Sequence, residues 1–205
     1  MKLIFSFLCL TLIPILSPLL YAGNGMGGKT IEIRSSIGYV PFAQFRIKNR
    51  DYNFYYTGQK IDLSLTYYTA QNAHGGLYFV TMNLDNKQNS NTHEETIKIA
   101  GVGLTMIGAI PIAIRPFIEV GVGYYVAKIE ATSQESHVEQ IYKQGTAGKI
   151  SLGLGPRIKG VGLYVKLDGE FVNWEKGEDR NNSQQKLFKA YQFSYSTNLG
   201  VQIAL

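Results

Sequence analysis

From Ile31 onward the apolar residues of this chain fall on every second position, in eight separate segments, and that periodicity is the pattern of strands. Ile31, Ile33, Ile37 and Tyr39 alternate with Glu32, Arg34, Ser36 and Gly38; Ile61, Leu63, Leu65 and Tyr67 alternate with Lys60, Asp62, Ser64 and Thr66. In the third segment Tyr78, Val80, Met82 and Leu84 read as the apolar face, opposite Phe79, Thr81 and Asn83. The same alternation returns through Ala100–Met106, Ile118–Val126, Ile150–Leu154, Leu163–Phe171 and Phe193–Leu205. Helical spacing of apolar residues is almost absent after Gly28.

The connections narrow the choice further. Pro41 to Gly58 is long and Gln71 to Gly75 short; Asp85 to Glu95 is long and Ile107 to Pro111 short. Ala131 to Gly145 is long, Lys159 to Gly162 short, and Asn173 to Lys186 long. A soluble sandwich has no reason to gather its long loops at one end, whereas a membrane-spanning barrel does. The expectation is an all-β fold, an eight-stranded antiparallel up-and-down transmembrane β-barrel with both termini at the end of the short turns.

Upstream of the strands, Met1-Lys2 is followed by an apolar run to Tyr21 and a small residue, Ala22. This reads as a secretory signal, with residues 1–22 removed and 23–205 forming one barrel domain. Cys9, the only cysteine, lies inside that run, so no disulfide is expected in the exported domain. The formal charge of +5 is mild and has no dense Lys/Arg run, which argues against nucleic acid as a partner.

In hydrocarbon a strand is tolerable only in a closed barrel, because every N–H and C=O must be paired. The apolar set would then face lipid and the polar set the lumen. That inner set holds Glu32, Arg34, Asp62, Glu119, Lys149, Arg157, Lys166, Asp168 and Glu170, charges of both signs that should pair across a narrow interior and fill it. Gly101, Gly103, Gly121, Gly123, Gly153 and Gly155 fall on the same inner face. Aromatics gather towards strand ends and suggest two interfacial belts. Tyr39, Phe42, Tyr55, Tyr56, Tyr124, Tyr125, Phe171, Trp174, Phe188 and Tyr191 lie near the long loops, and Tyr67, Tyr68, Tyr78, Phe117 and Tyr164 near the short turns.

Two stretches carry a resemblance. Pro116-Phe117-Ile118-Glu119-Val120-Gly121-Val122-Gly123-Tyr124-Tyr125 resembles the Pro-aromatic strand ending in Gly-x-Gly-Tyr of the small outer-membrane barrel superfamily, the OmpA transmembrane-domain and OmpX kind that includes surface antigens. Asn198 to Leu205 is similar to its C-terminal assembly signal, with Gly200, Ile203 and Leu205 in the marked positions. The resemblance covers roughly residues 29–205. It implies a bacterial outer-membrane location, insertion by the barrel-assembly machinery, and neighbours that are outer-membrane lipid and lipopolysaccharide. It specifies architecture and not activity.

Enzymes occur among barrels of this size, and the three histidines were the test. His74 reads as a solvated residue of a short turn, His93 as a loop base beside Glu94-Glu95, and His137 as a loop residue beside Ser136. None suggests a nucleophile with its base, and His93-Glu94-Glu95 is a weak metal signal. The expectation is therefore no enzyme, no cofactor and no metal. Arg46, Lys48, Arg50 and Tyr52 interleave cations and rings in the first long loop, a pattern suited to lipopolysaccharide phosphates or a host-surface anion. The leading reading is a monomeric structural or surface-interaction protein. A narrow channel for small or apolar solutes and a lipid A-modifying enzyme are the alternatives.

Overall fold

The computed structural model describes residues 31–47, 53–70, 72–86, 93–133, 137–158, 160–179, 186–187 and 189–205. The expected signal segment lies outside them. Eight long strands follow in order: β1 (Ile31–Ile47), β2 (Asn53–Ala70), β3 (Ala73–Asn86), β4 (His93–Ala109), β5 (Pro116–Ser133), β6 (His137–Leu154), β7 (Val161–Asp179) and β8 (Ala190–Ala204). Each pairs antiparallel with its neighbour in sequence, and β8 pairs back onto β1. The sheet therefore closes, each of the eight long strands being paired on both sides, which is what a strand structure in lipid requires. Two-residue bridges at Arg157–Ile158 and Lys186–Leu187 add to β7.

Closure is staggered. One row of partners runs from Ile33 through Leu65, Leu77, Leu104, Val122, Gly148, Phe171 and Phe193 to Gln44. The row returns to β1 well above its start, past a bulge between Tyr39 and Phe42. That offset is the shear of a barrel, and it tilts every strand against the axis.

The outer wall is apolar. Ile37, Ile61, Leu104, Leu152, Leu163, Leu167 and Leu199 are each more than half exposed, beside many other large apolar side chains. Water does not tolerate an apolar surface that encircles a protein. With the polar set turned inward and the backbone closed, the barrel spans a membrane, and it is of the outer-membrane kind.

Three sequence expectations change. On β3 the assignment of faces inverts: Tyr78, Val80, Met82 and Leu84 are buried inside, and Leu77 and Phe79 meet lipid. Both faces of that strand carry apolar residues, so alternation alone does not say which is which. Second, much of each expected long loop is strand. The β1–β2 ladder runs up to Arg46↔Asn53, and β5–β6 up to Thr132↔His137. Strands of 14 to 19 residues exceed the roughly 10 needed to cross a bilayer, so the surplus stands beyond it. Past the lipid the outward face no longer needs apolar residues, so the ladder continues under a polar pattern.

Third, the belts are thinner. Tyr39, Tyr124 and Phe171 do face outward; Phe42 contacts Tyr55 and Tyr195 at 5.6 Å each, and Phe171 stacks on Tyr191 at 6.1 Å. Tyr67 is exposed at the opposite end. Tyr56, Tyr125, Trp174, Tyr78, Phe117 and Tyr164, however, are buried in the lumen, and Tyr68 reaches Glu32 there. On β2, β5 and β7 these rings share their parity with the inward charges of the same strand, a constraint that outranks nearness to a strand end. Phe188 lies outside the described residues.

Candidate functional site: the filled lumen

At mid-barrel three ammonium groups meet four carboxylates. Lys60 Nζ lies 2.5 Å from both Asp168 Oδ2 and Glu170 Oε1, and 3.8 Å from Asp62. Lys149 Nζ reaches Asp62 at 2.5 Å and Glu119 at 2.9 Å. Lys166 Nζ stands 3.0 Å from Asp62, 3.6 Å from Glu119 and 3.5 Å from Asp168. Thr105 donates its hydroxyl to Glu119 (3.0 Å) and Asn198 its amide to Asp168 (3.0 Å). The cluster draws on β2, β4, β5, β6, β7 and β8, and every one of these side chains is buried.

Burying charges this deeply is tolerable only with mutual pairing, because an isolated ion would carry its whole desolvation cost. The Lys149 ammonium also sits 4.7 Å from the centre of the Tyr78 ring, a cation–π contact. Asp62, Asp168 and Glu170 place carboxylate oxygens within 4.8 Å of one another, close enough to hold a cation. Lys60 supplies a cation of the chain's own between two of them.

Towards the short turns lies a second polar group. Arg34 Nε donates to Glu32 Oε1 at 2.5 Å, and the Tyr68 hydroxyl donates to Glu32 Oε2 at 2.8 Å. Arg115 Nη2 is 3.0 Å from His74 Nε2, and Arg115 Nη1 is 3.7 Å from Glu32 Oε2. The Arg34 guanidinium lies 4.5 Å over Phe117 and 5.7 Å from Tyr164, rings that meet edge to face. These groups close the lower mouth.

The opposite half of the lumen is largely apolar, with Gln192 buried in it. Phe45, Tyr142 and Trp174 form a chain of ring contacts at 5.6 and 5.8 Å. They pack with Val40, Leu84, Ile97, Tyr56 and Tyr125 in one buried cluster. Glycines make this possible at two places. A Cβ on Gly101 would fall 2.3 Å from a Tyr125 ring carbon, and one on Gly123 would fall 2.4 Å from the Tyr78 hydroxyl. The glycines on β4 and β5 are thus sockets for two inward tyrosine rings.

Of the sequence-selected charges, Glu32, Arg34, Asp62, Glu119, Lys149, Lys166, Asp168 and Glu170 lie inside as described, and the Arg157 side chain is outside the described set. Lys60, His74 and Arg115 were missed. Lys60 stands two positions from Asp62 on the inward parity, which was signal enough. His74 overturns its reading as a solvated turn residue, because it belongs to β3 and is buried against Tyr68, with ring centres 3.9 Å apart. Arg115 has no periodic signal, since it comes from a turn. Arg46 is exposed near the top of β1; Lys48, Arg50 and Tyr52 lie outside the described residues. Gly200 is inward beside Tyr164, while Ile203 and Leu205 face outward.

No protein-family model matches the chain. No curated protein matches it either. Solved structures do. Neisserial surface protein A superposes with a TM-score of 0.54 at 10% identity, over 85% of this chain and 97% of that one. Ail, the attachment invasion locus protein of Yersinia pestis, gives 0.49 at 12% identity, over 84% and 99%. The outer membrane protease OmpT of Escherichia coli gives 0.49 at 9% identity, over 89% and 99%. At such identities the likeness is one of fold.

Proposed function

Because the chain is a small outer-membrane β-barrel of the eight-stranded kind, we propose that it is a non-conducting surface protein: a rigid, side-chain-filled barrel that holds outward strand extensions and loops for contact with other surfaces. The observation that carries this reading is the filling of the lumen. A solute entering from the short-turn end meets Glu32, Arg34 and Arg115, then the charged centre, then the Phe45–Tyr142–Trp174 cap. Opening a path would require breaking paired buried charges and repacking an apolar cluster.

The surface it contacts is anionic in this proposal, lipopolysaccharide phosphate or a charged host glycan, met by Arg46, Lys48 and Arg50 with Tyr52. Exposure of Arg46 at the top of β1 supports this. Planar-bilayer recording should give no stable steps, and nanosiemens-scale openings would favour the channel instead. Substituting Arg46, Lys48 and Arg50 together with Gln should weaken adhesion to anionic glycolipid, and unchanged binding would refute the contact. If lipid A from cells carrying the protein changes in mass, the enzymatic alternative takes its place.

A further inference from the structure

The turn between β4 and β5 has the wrong chemistry for an aqueous turn. It reads Ile110-Pro111-Ile112-Ala113-Ile114-Arg115, and its three isoleucines are 50%, 57% and 59% exposed. Scattered exposed apolar residues mean little; a run of them at one tip is a surface. The sequence between β6 and β7, by contrast, carries Arg157 and Lys159.

The turn is also held in shape. Ile110 N–H donates to Pro116 O, Ile112 N–H to Ile110 O and Arg115 N–H to Ile112 O, each at 2.9 Å. Gly155 N–H donates to Ile114 O at 3.0 Å, tying the turn to the end of β6. Pro111 and Pro116 bring no N–H at all. Arg115 takes a left-handed backbone, φ 47°, while its guanidinium is anchored inward at His74 and Glu32. The anchor fixes where the turn reverses and leaves the isoleucines outward.

We propose that the isoleucine side chains of this turn are seated in the acyl region of the periplasmic leaflet, with its backbone at the headgroup boundary, so that the barrel is anchored in lipid more deeply at β4–β5 than at its other short turns. Two observations select lipid as the occupant. The outward column Ala100, Val102, Leu104 and Met106 of β4 is interrupted at the buried Gly108 and resumes at Ile110, so the tip lies in line with a surface that already meets lipid. The N–H groups of Ile110, Ile112 and Arg115 are also paired within the turn and Pro111 brings none, which lowers the cost of holding this backbone at the lipid boundary.

The test is spin-label accessibility in phosphatidylethanolamine–phosphatidylglycerol vesicles. A nitroxide is placed at Ile112→Cys, and separately at Ile114→Cys, on a Cys9→Ser background. Leu104→Cys serves as the lipid reference and Pro156→Cys as the solvent reference. The ratio of oxygen to nickel-complex accessibility at 112 and 114 should match that at 104 and exceed that at 156 several-fold. A ratio equal to that at 156 overturns the proposal and leaves the turn free for a protein partner. Spin–spin broadening that survives dilution with unlabelled protein also overturns it, in favour of contact with a second copy.

Discussion

Removing the Lys60 ammonium should damage this barrel more than removing one of the carboxylates it holds. Lys60→Met keeps an unbranched side chain one atom shorter and leaves four buried carboxylates facing Lys149 and Lys166 alone. Breaking a buried ion pair by deleting one partner costs about 3–5 kcal/mol, or roughly two to three and a half powers of ten in the unfolding constant. Glu170→Gln removes one charged hydrogen bond, worth about 1.5–3 kcal/mol, but balances three carboxylates against three ammoniums. Part of that loss is returned, so Glu170→Gln should be clearly the milder change. The double variant should cost less than the sum of the singles, because the charge left uncompensated by the first change is the one removed by the second. Urea unfolding in lipid vesicles measures all three. Trp174, the only tryptophan and fully buried in the lumen cap, reports the transition without a label. Heat-dependent gel mobility checks that each variant has folded. If Lys60→Met lies within about 1 kcal/mol of the parent, or Glu170→Gln costs as much, the account of the charged centre fails.

Two further outcomes follow from the geometry. Gly101→Ala should cost about 1–3 kcal/mol by overpacking against the Tyr125 ring, and Tyr125→Ala in the same chain should recover part of that loss; additive urea midpoints would show that the socket does not exist. Above the lipid, hydrogen bonds from Lys128 and then Lys98 hold the Glu130 carboxyl at about 2 against an ordinary 4.5. A depressed carboxyl contributes its stability above the ordinary value and loses it as pH falls, so protection from hydrogen exchange at the β4–β5 extension, taken relative to the intrinsic exchange rate at each pH, should fall between pH 4.5 and about 2. A carboxyl titration of Glu130 by NMR with its midpoint near 4.5 would refute this.

Much of this was legible from one dimension because the period of a strand is two and the two sides of the wall have opposite chemistry. On β7, Tyr164, Lys166, Asp168, Glu170, Val172 and Trp174 all share one parity, so finding the charges also finds the rings. Weighting aromatics by closeness to a strand end discarded that information. β3 was illegible for a different reason: its inward partners are the glycines of β4 and β5, whose missing side chains leave room that only the closed sheet reveals. Arg115 and His74 meet across 41 residues of sequence, and no local pattern encodes the meeting. The lengths of the extensions were hidden because a ladder outside lipid needs no apolar alternation.

The charged centre also bears on how the barrel comes to be closed. Hairpin pairs such as β2–β3 or β5–β6 can form from neighbouring sequence, one after another. Lys60 and Glu170, by contrast, are 110 residues apart, and Lys149 and Asp62 are 87 apart. An open sheet that had formed every sequential ladder could pair Lys149 with Glu119 across β5 and β6, but would still lack the Lys60–Glu170, Lys60–Asp168 and Lys149–Asp62 contacts. In lipid that open sheet is penalised twice, by the unpaired edges of β1 and β8 and by charges lacking their partners. Both penalties vanish in the same event, when β8 meets β1. The mixed charges inside the barrel therefore act on cooperativity as well as on stability, because the contacts of Lys60 and Asp62 with β6 and β7 are available to the closed state alone.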